Sequence, residues 1–440
     1  MRMEKRRFKR LPVLGSILIF SVAAFSQGQK PASELLLRLK ALPGVSDIRP
    51  VRFDEKEFKE AYEGLIEQPL DHRNPEGEKF RQRFFVAHVD FERPVLLETE
   101  GYGARGPSGG ELSRMLAGNV VTVEHRFFGR SVPSTLQWEF LNIRQSADDL
   151  HAVVAAMKKI YPGKWVSSGV SKGGQTALFY KSFYPDDVDA CVPYSAPINI
   201  AQEDPRLYRF LETVGDEETR SRIKAFQIAM FDREDEILPL VRAQAEKNQW
   251  TFGMGLAEAY EYGVLEYPFA FWQTGNINPA DIPAPDAPAE RMFDHFAATY
   301  AVYYYSDQGR KAFEPFQYQA FTEIGYYNYD ITDFKPHMKA LKNPSNSVLC
   351  PPGVKIVYDP APMAAVYRFL QYEGNRIFYI YGELDPWSAT AVPLIGRTDS
   401  FKVVVKNGHH GSRIEEFTPV QKELFYSTLE RWLSLKLVRL

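Results

Sequence analysis

The residues most able to do chemistry in this chain are a serine, an aspartate and a histidine that each follow a strand-like run. Ser171 lies in the sequence GVSKG at 169–173, between a short apolar run and a stretch with the pattern of an amphipathic helix. A G-x-S-x-G turn between a strand and a helix holds its serine in a strained conformation that exposes the hydroxyl. Glycine has no Cβ, so strand and helix can pass close together at such a turn. We predict that Ser171 is a nucleophile at the carboxyl edge of a sheet.

The base and the acid that such a serine requires come further along the chain. A serine hydroxyl needs an adjacent general base, and the base needs a carboxylate that fixes its tautomer and orientation. Asp385 follows the run RIFYIY at 376–381, and the doublet His409-His410 follows FKVVV at 401–405. Three such residues after three strands, in the order Ser, Asp, His, predict a catalytic triad. His410 is the preferred base and His409 is the alternative.

Stabilisation of an oxyanion is expected from two backbone regions. The N–H of Lys172 directly follows the nucleophile and points into the space where an oxyanion would form. A second donor is expected from the loop TEGYGARGPSGG at 99–110, which follows another strand-like run. The candidates there are the backbone N–H groups of residues 101–103 and the hydroxyl of Tyr102, and the sequence leaves the choice open.

The elements that must position these residues alternate between strands and helices. Strand-like runs occupy 80–89, 94–98, 119–124 and 188–195, and a helix is predicted to run to Tyr161 with Ser146 as N-cap and Asp149 at the capping-box position. This alternation predicts an α/β class with a parallel sheet covered by helices on both faces. We predict that residues 27–200 and 346–440 form this domain and that residues 201–345 form a mostly helical cap inserted between its two halves.

Composition agrees with a globular chain that has one unusual region. The chain has 440 residues, of which 45% are hydrophobic and 25% charged, as in ordinary globular proteins. Aromatic residues make up 14%, and most of the excess lies between 250 and 330, inside the predicted cap. These aromatic side chains form either the core of the cap or an apolar substrate pocket, and both interpretations stay open.

The N-terminus has the pattern of a signal peptide. Basic residues are frequent in 2–10, the run 11–25 is apolar, and Ala24-Phe25-Ser26 offers a small-x-small cleavage site. We predict removal of residues 1–26 and export to the periplasm or the medium; a retained anchor is the alternative. Cleavage would make the net charge more negative than −3, which argues against nucleic acid or an anionic membrane as partner.

Cysteine usage and motifs imply no cofactor. The chain has two cysteines, Cys191 and Cys350, too few for a disulfide-built scaffold. Cys191 lies in an apolar run and is expected to be a buried free thiol, while pairing of the two stays open. No C-x-x-C, H-E-x-x-H or P-loop pattern occurs, so neither a metal nor a nucleotide is expected.

Five segments carry a resemblance to a known family. They are QPLDHRNP at 68–75, EHRFFGRS at 124–131, GVSKGG at 169–174, GELDPWS at 382–388 and NGHHGSRI at 407–414. The sequence resembles the secreted prolyl tri-/tetrapeptidyl aminopeptidases, serine peptidases with the α/β-hydrolase fold. More distantly, it is similar to the lysosomal Pro-X carboxypeptidase and dipeptidyl-peptidase group. That group typically has Gly-Ser-Tyr-Gly-Gly at the serine, so Lys172 departs from its pattern. The doubled histidine does resemble that group, and for this reason His409 stays an alternative base.

The resemblance implies Ser171 as nucleophile, Asp385 as orienting acid and His410 as base. An aminopeptidase must also bind a free α-ammonium group, for which Glu100 and Glu124 are candidates because both follow strands at the catalytic edge. Their alternative role is a structural ion pair with Arg126 or Arg130.

The expected function is that of an exported serine exopeptidase acting on oligopeptides. It would release short peptides of three or four residues from the N-terminus, with cleavage after proline as one option. A carboxylic-ester hydrolase, a Pro-X carboxypeptidase-like enzyme and a catalytically inactive binding module are the alternatives. The sequence leaves the oligomeric state open.

Overall fold

The computed structural model describes residues 32–107, 109–299 and 301–440. The predicted signal peptide, residues 1–26, lies outside these ranges. The strands of the described residues are β1 (Val45–Pro50), β2 (Glu60–Pro69), β3 (Lys79–His88), β4 (Val95–Thr99), β5 (Asn119–Val123), β6 (Trp165–Val170), β7 (Ala190–Tyr194), β8 (Phe378–Gly382) and β9 (Phe401–Val405).

The α-helices of the same residues alternate with the strands and then cluster between β7 and β8. They are α1 (Glu34–Lys40), α2 (Gly110–Leu116), α3 (Ile143–Met157), α4 (Lys172–Phe183), α5 (Pro205–Thr213), α6 (Glu217–Asp232), α7 (Glu234–Asn248), α8 (Leu256–Thr274), α9 (Ala289–Ala297), α10 (Ala301–Tyr304), α11 (Asp307–Gln319), α12 (Ala361–Tyr372) and α13 (Pro419–Leu433).

All of these strands belong to one sheet with the order β1-β2-β3-β5-β4-β6-β7-β8-β9. The strands β1 to β3 pair antiparallel, β3 also pairs antiparallel with β5, and every later pairing is parallel. The carboxyl ends of β4, β6, β7, β8 and β9 therefore meet at one edge, where ligands bind in open α/β sheets. The predicted α/β class is confirmed.

Alternating side chains bury both faces of the sheet under helices. In β4, Leu96 packs into a buried cluster with residues of α2 and α13, while Val95 and Leu97 point to the opposite face and pack with residues of α1 and α3. Because the parallel strands are covered on both faces, they read as continuous apolar runs in the sequence.

Helix α3 begins earlier than predicted, and the prediction of Ser146 as its N-cap is wrong. The side chain of Asn142 caps the helix by accepting from the backbone N–H of Gln145 at 2.9 Å. Asp149 makes no capping box, because its buried carboxylate accepts two hydrogen bonds of 2.7 Å from the guanidinium of Arg126. A buried charge that needs a partner thus outweighs a local capping pattern.

The residues from α5 to the short 3₁₀ turn Asn346–Leu349, which we call the helical insertion, lie between β7 and β8. Its longest helix, α8, is buried on most of its circumference although it contains Pro268. Proline has no N–H, so the carbonyl oxygen of Val264 loses its helical partner. The side-chain amide of Gln227 donates to that oxygen at 2.8 Å, which lets α8 pass through the proline. The exact boundaries 201 and 345 stay a prediction.

The described residues also bear on the expectations for a membrane span and for the two cysteines. Among the described residues, no helix combines the length and the apolar character that crossing a membrane requires. Cys191 in β7 and Cys350 are both buried and are not joined by a disulfide.

Candidate active site

Ser171 occupies the sharp turn between β6 and α4. Its backbone has φ 58° and ψ −124°, a left-handed conformation that a residue other than glycine adopts only under strain. The turn is held by the N–H of Ser171, which donates to the carbonyl oxygen of Tyr194 in β7 at 2.8 Å. A Cβ added at Gly173 would overlap the carbonyl oxygen of Thr99 in β4. The close approach of strand and helix at this turn therefore requires glycine.

Asp385 and His410 form a hydrogen-bonded pair at the same edge of the sheet. Asp385 follows β8, is fully buried, and has Oδ2 at 2.8 Å from Nδ1 of His410, which follows β9. Its Oδ1 accepts from the backbone N–H of Trp387 at 3.2 Å. A buried carboxylate on Nδ1 fixes the histidine tautomer with Nε2 unprotonated, which is the state that a general base needs.

The backbone of His410 is attached both to the sheet and to the helical insertion. Its carbonyl oxygen accepts from Oγ of Ser195, the residue after β7, at 3.3 Å, and its N–H donates to the carbonyl oxygen of Gln273 in α8 at 3.1 Å. Since the N–H of Ser171 is bonded to Tyr194, the serine and the histidine are both held by the end of β7.

The second histidine of the doublet has different surroundings. Nδ1 of His409 accepts from the backbone N–H of Gly411 at 3.1 Å, and its ring lies where a Cβ on Gly275 would be. Among the described residues, the imidazole that hydrogen-bonds Asp385 is that of His410. The geometry therefore favours His410 over His409 as the base.

Ser171 opens into a cavity of about 440 Å³ between the sheet edge and the helical insertion. The sheet side contributes Tyr102, Lys172 and Gln175, and the insertion contributes aromatic side chains from α8, α10, α11 and the segment after α11. Several of these aromatic residues, including Tyr326 and Tyr327, are also buried in the insertion's apolar clusters. The aromatic tract thus forms part of a buried core and also lines the cavity, while its contact with substrate stays a prediction.

The two predicted oxyanion donors lie side by side. A Cβ on Gly101 would lie 2.7 Å from the backbone nitrogen of Gly173, so the loop after β4 rests directly on the start of α4. The N–H of Lys172 belongs to the first helical residue, where no carbonyl of the preceding turn is available to it. Among the described residues, neither the N–H nor the hydroxyl of Tyr102 donates a hydrogen bond, so both remain candidates for the second donor.

The family model for PS-10 peptidase S37 matches residues 29–437. The chain belongs to this family. It is 31% identical over 444 residues to the prolyl tri/tetrapeptidyl aminopeptidase of Streptomyces mobaraensis, with 97% of this chain and 92% of the relative covered. It is also 28% identical to the human thymus-specific serine protease, over 31% of this chain and 30% of that protein.

Solved structures of other α/β hydrolases are similar at low identity. The proline iminopeptidase of Mycobacterium smegmatis has 12% identity and a TM-score of 0.37, with 84% of this chain and 97% of that chain covered. An alpha/beta fold family hydrolase from Bacillus anthracis has 12% identity and a TM-score of 0.34, with the same two shares covered. The predicted resemblance is confirmed by the family model and the Streptomyces relative, as is a serine exopeptidase at the level of the family.

Within this S37 peptidase, Glu124 has a structural environment that does not suit the predicted binding of substrate. Its fully buried carboxylate accepts from the guanidinium of Arg83, the N–H groups of Ala104 and Arg130, and the hydroxyl of Ser131. These donors occupy both oxygens, so no position is left for a substrate ammonium group. The expected ion pair exists, but with Arg83 in place of Arg126 or Arg130.

Glu100 is also absent from the described residues that line the cavity. The residue is half-buried, and burial raises the pKa of its carboxyl to about 7, with a smaller contribution from Glu124 and an opposing one from Arg105. The two carboxylates predicted for substrate binding are therefore not the ones that the fold brings to the cavity.

The carboxylate that does line the cavity is Glu266 of α8, which the sequence reasoning missed. The side chain is 8% exposed and accepts from the hydroxyls of Tyr327 and Tyr329, each at 2.7 Å. Burial raises the pKa of Glu266 to about 7, against the lowering effect of the two tyrosine hydrogen bonds. In the sequence, Glu266 is the single acidic residue of the aromatic stretch LEYPFAFW at 265–272.

One cation faces the same cavity. Lys172 is 3% exposed, and its Nζ lies 5.8 Å from the ring centroid of Tyr102 and 5.7 Å from that of Phe128. Burial lowers the pKa of Lys172 to about 7. No described residue accepts a hydrogen bond from this ammonium group, so the aromatic rings are its protein partners.

Proposed function

We propose that this chain is an exported serine aminopeptidase that releases tri- or tetrapeptides from the N-terminus of oligopeptides. The observation that carries the proposal is the buried Asp385–His410 pair, 2.8 Å apart, beside a strained nucleophile turn. The cavity of about 440 Å³ over Ser171 supports an exopeptidase, because it has room for the end of a peptide under the helical insertion.

The first half of the reaction acylates the enzyme. Nε2 of His410 takes the hydroxyl proton of Ser171 as Oγ attacks the carbonyl carbon of the scissile peptide bond. The negative charge that develops on the carbonyl oxygen is stabilised by the N–H of Lys172 and by a donor of Tyr102. His410 then gives its proton to the leaving nitrogen, and the shortened peptide departs with a new N-terminus.

The second half releases the N-terminal fragment. A water molecule gives a proton to Nε2 of His410 and attacks the ester carbonyl carbon, and the same donors stabilise the second oxyanion. When the C–O bond breaks, the proton returns from His410 to Oγ of Ser171. Asp385 stays ionised throughout and stabilises the imidazolium that forms in each half.

A panel of substrates tests the proposed function. We expect cleavage of tripeptidyl and tetrapeptidyl 4-nitroanilides with a free N-terminus, and at least a hundredfold lower kcat/KM when that N-terminus is acetylated. A fluorophosphonate should label Ser171 alone. Equal rates on free and acetylated peptides, together with sensitivity to amidation of the C-terminus, would instead indicate a carboxypeptidase. Activity confined to esters would indicate a carboxylic-ester hydrolase.

Export is supported by the basic and apolar pattern of residues 1–26. Expression of the full chain with fractionation of periplasm and medium tests it. Mass spectrometry of the exported protein should find Gln27 as the first residue, and an intact N-terminus in the membrane fraction would contradict cleavage.

A further inference from the structure

The described lining of the active-site cavity contains one carboxylate and one ammonium group, Glu266 and Lys172. The other described side chains there are uncharged: aromatic rings, amides, hydroxyls and small apolar groups. A charged end of a peptide that enters this cavity must therefore be neutralised by one of these two residues. An α-ammonium group can pair with the carboxylate of Glu266 but not with Lys172, whose charge has the same sign.

The carboxylate of Glu266 can accept more hydrogen bonds than the protein donates to it. A carboxylate has about four lone-pair positions, and the protein uses two of them through the hydroxyls of Tyr327 and Tyr329. No described residue forms an ion pair with Glu266. A buried carboxylate without a cation is costly to ionise, so a cationic ligand that brings N–H donors would be bound strongly.

We infer that Glu266 is the receptor for the α-ammonium group of the substrate, and that α8 sets the number of residues released. This inference rests on the proposed aminopeptidase function. The aromatic rings around the carboxylate add to the site, because faces of tyrosine and tryptophan attract a desolvated ammonium group.

The length of peptide follows from α8 itself. The carbonyl of Gln273 in this helix holds the backbone of His410, so Gln273 marks the level of the catalytic groups. Seven residues separate it from Glu266, or about 10 Å of helix at 1.5 Å per residue. An extended peptide covers about 3.3–3.6 Å per residue, so three residues span about the same distance. A tripeptide thus reaches from the scissile carbonyl to Glu266, whereas a dipeptide is one residue short.

One part of the cavity wall is a pair of stacked rings. Phe269 and Tyr327 lie 4.2 Å apart between centroids at an angle of 5°. They line both this cavity and a second one, of about 470 Å³, inside the helical insertion. The stack therefore forms part of the wall between the two cavities, and Tyr327 in it also donates to Glu266.

The test compares Glu266→Gln with wild type on free and N-acetylated tripeptidyl 4-nitroanilides. The isosteric amide removes the charge and keeps the volume. We expect kcat/KM on the free substrate to fall at least a hundredfold and that on the acetylated substrate to change less than threefold. Glu266→Asp, which keeps the charge, should recover at least a tenfold part of the loss. A similar loss on both substrates, or no loss on either, would overturn the inference.

A matched control is available in the same helix. Glu261 is fully buried in α8, but its carboxylate accepts from backbone N–H groups of residues 339–341 and does not belong to the described cavity lining. Glu261→Gln should lower the melting temperature and leave the ratio of rates on free and acetylated substrates unchanged. A fall in that ratio equal to the one in Glu266→Gln would mean that the effect is structural.

Measurements on the wild type keep the two proposals separate. We expect the ratio of kcat/KM values for tripeptidyl over dipeptidyl 4-nitroanilides to be at least 10, and this preference to disappear in Glu266→Gln. If the wild type ignores acetylation, the proposed aminopeptidase function fails, whatever Glu266 does. If the wild type requires a free N-terminus but Glu266→Gln still discriminates, only the role of Glu266 fails. Should the glutamine variant not fold, a lack of tripeptide preference in the wild type would overturn the length assignment alone.

Discussion

The sheet edge and the helical insertion contribute to the active site in different ways. At the sheet edge, Ser171, Asp385 and His410 each follow a strand, and the pairing of the strands brings them together. In the insertion, Glu266 lies in the middle of a helix, and what brings it to the cavity is the packing of aromatic side chains. The residues proposed for catalysis are thus positioned by the strands of the sheet, and the carboxylate proposed for specificity by side-chain contacts.

This difference means that the two regions should respond differently to substitution. Replacing a group at the sheet edge should remove turnover on every substrate, because the chemistry is the same for all of them. Replacing a group of the insertion should change which substrates are cleaved. The following variants test that separation, beginning with the largest expected effect.

Ser171→Ala should lower kcat by about six orders of magnitude, because the nucleophile acts together with its base as one unit. Hydrolysis of free peptides, acetylated peptides and esters should fall together, while the melting temperature stays close to that of the wild type. Residual turnover of one substrate class at the wild-type rate would show that a different nucleophile serves it.

Asp385→Asn should lower kcat about 10⁴-fold, since an amide at Nδ1 favours the wrong tautomer of the imidazole. His410→Ala should have an effect of similar size, and His409→Ala should cost less than tenfold, because Asp385 is bonded to His410. Steady-state rates of the three variants check this, with circular dichroism as the control for folding. The opposite ranking of the histidines would assign the base to His409.

Glu124→Gln should destabilise the protein by about 3 kcal/mol, because it leaves the partly buried guanidinium of Arg83 without its charged partner. The preference for free over acetylated peptides should not change, since Glu124 is enclosed by protein donors. Denaturant unfolding and the ratio of kcat/KM values measure the two effects. If the variant lost the preference for free peptides and kept the stability of the wild type, Glu124 would be assigned to substrate binding.

Lys172→Met should stabilise the protein in a manner that depends on pH. The pKa of Lys172 is lowered to about 7 in the folded state from an ordinary value near 10.5, so the unfolded chain binds the proton more tightly. The lysine therefore costs stability most below pH 7, and this cost fades as the pH rises toward about 10. We expect the gain of the variant to be largest at pH 6 and to vanish near pH 10.

Lys181→Met is the matched control for this variant. Lys181 belongs to the same helix and is also buried, but its ammonium group donates to the carbonyl oxygens of Pro185 and Val188. Its replacement should destabilise the protein at pH 6, because those carbonyls lose their donor. Equal behaviour of the two variants in thermal melts at pH 6 and pH 9 would contradict the account given for Lys172.

The sequence predicted the sheet edge well because its signals are local. A strand followed by GVSKG, and strands followed by Asp385 and His410, are patterns that depend on neighbours in the chain. The strands β1 and β2 were not predicted. No residue of β1 is fully buried, and the burial of β2 on both faces hides the alternation that marks a strand.

The site residues that were missed depend on contacts between distant parts of the chain. Glu266 meets its tyrosines across about sixty residues of sequence, and nothing local distinguishes it from Glu261, which binds backbone instead. Glu124 was considered for substrate binding because it ends a strand, yet its role is set by Arg83 from the neighbouring strand β3. Periodicity and turn chemistry carry no information on such pairings.

The hydrogen bond from the N–H of His410 to the carbonyl of Gln273 makes the triad depend on the helical insertion. If the insertion moved outward, α8 would withdraw that carbonyl, and the loop that carries the imidazole would keep its bonds to the sheet, from the N–H of Leu384 to the carbonyl of Gly408 and from Oγ of Ser195 to the carbonyl of His410. A motion of the insertion and the order of the His410 loop are therefore coupled.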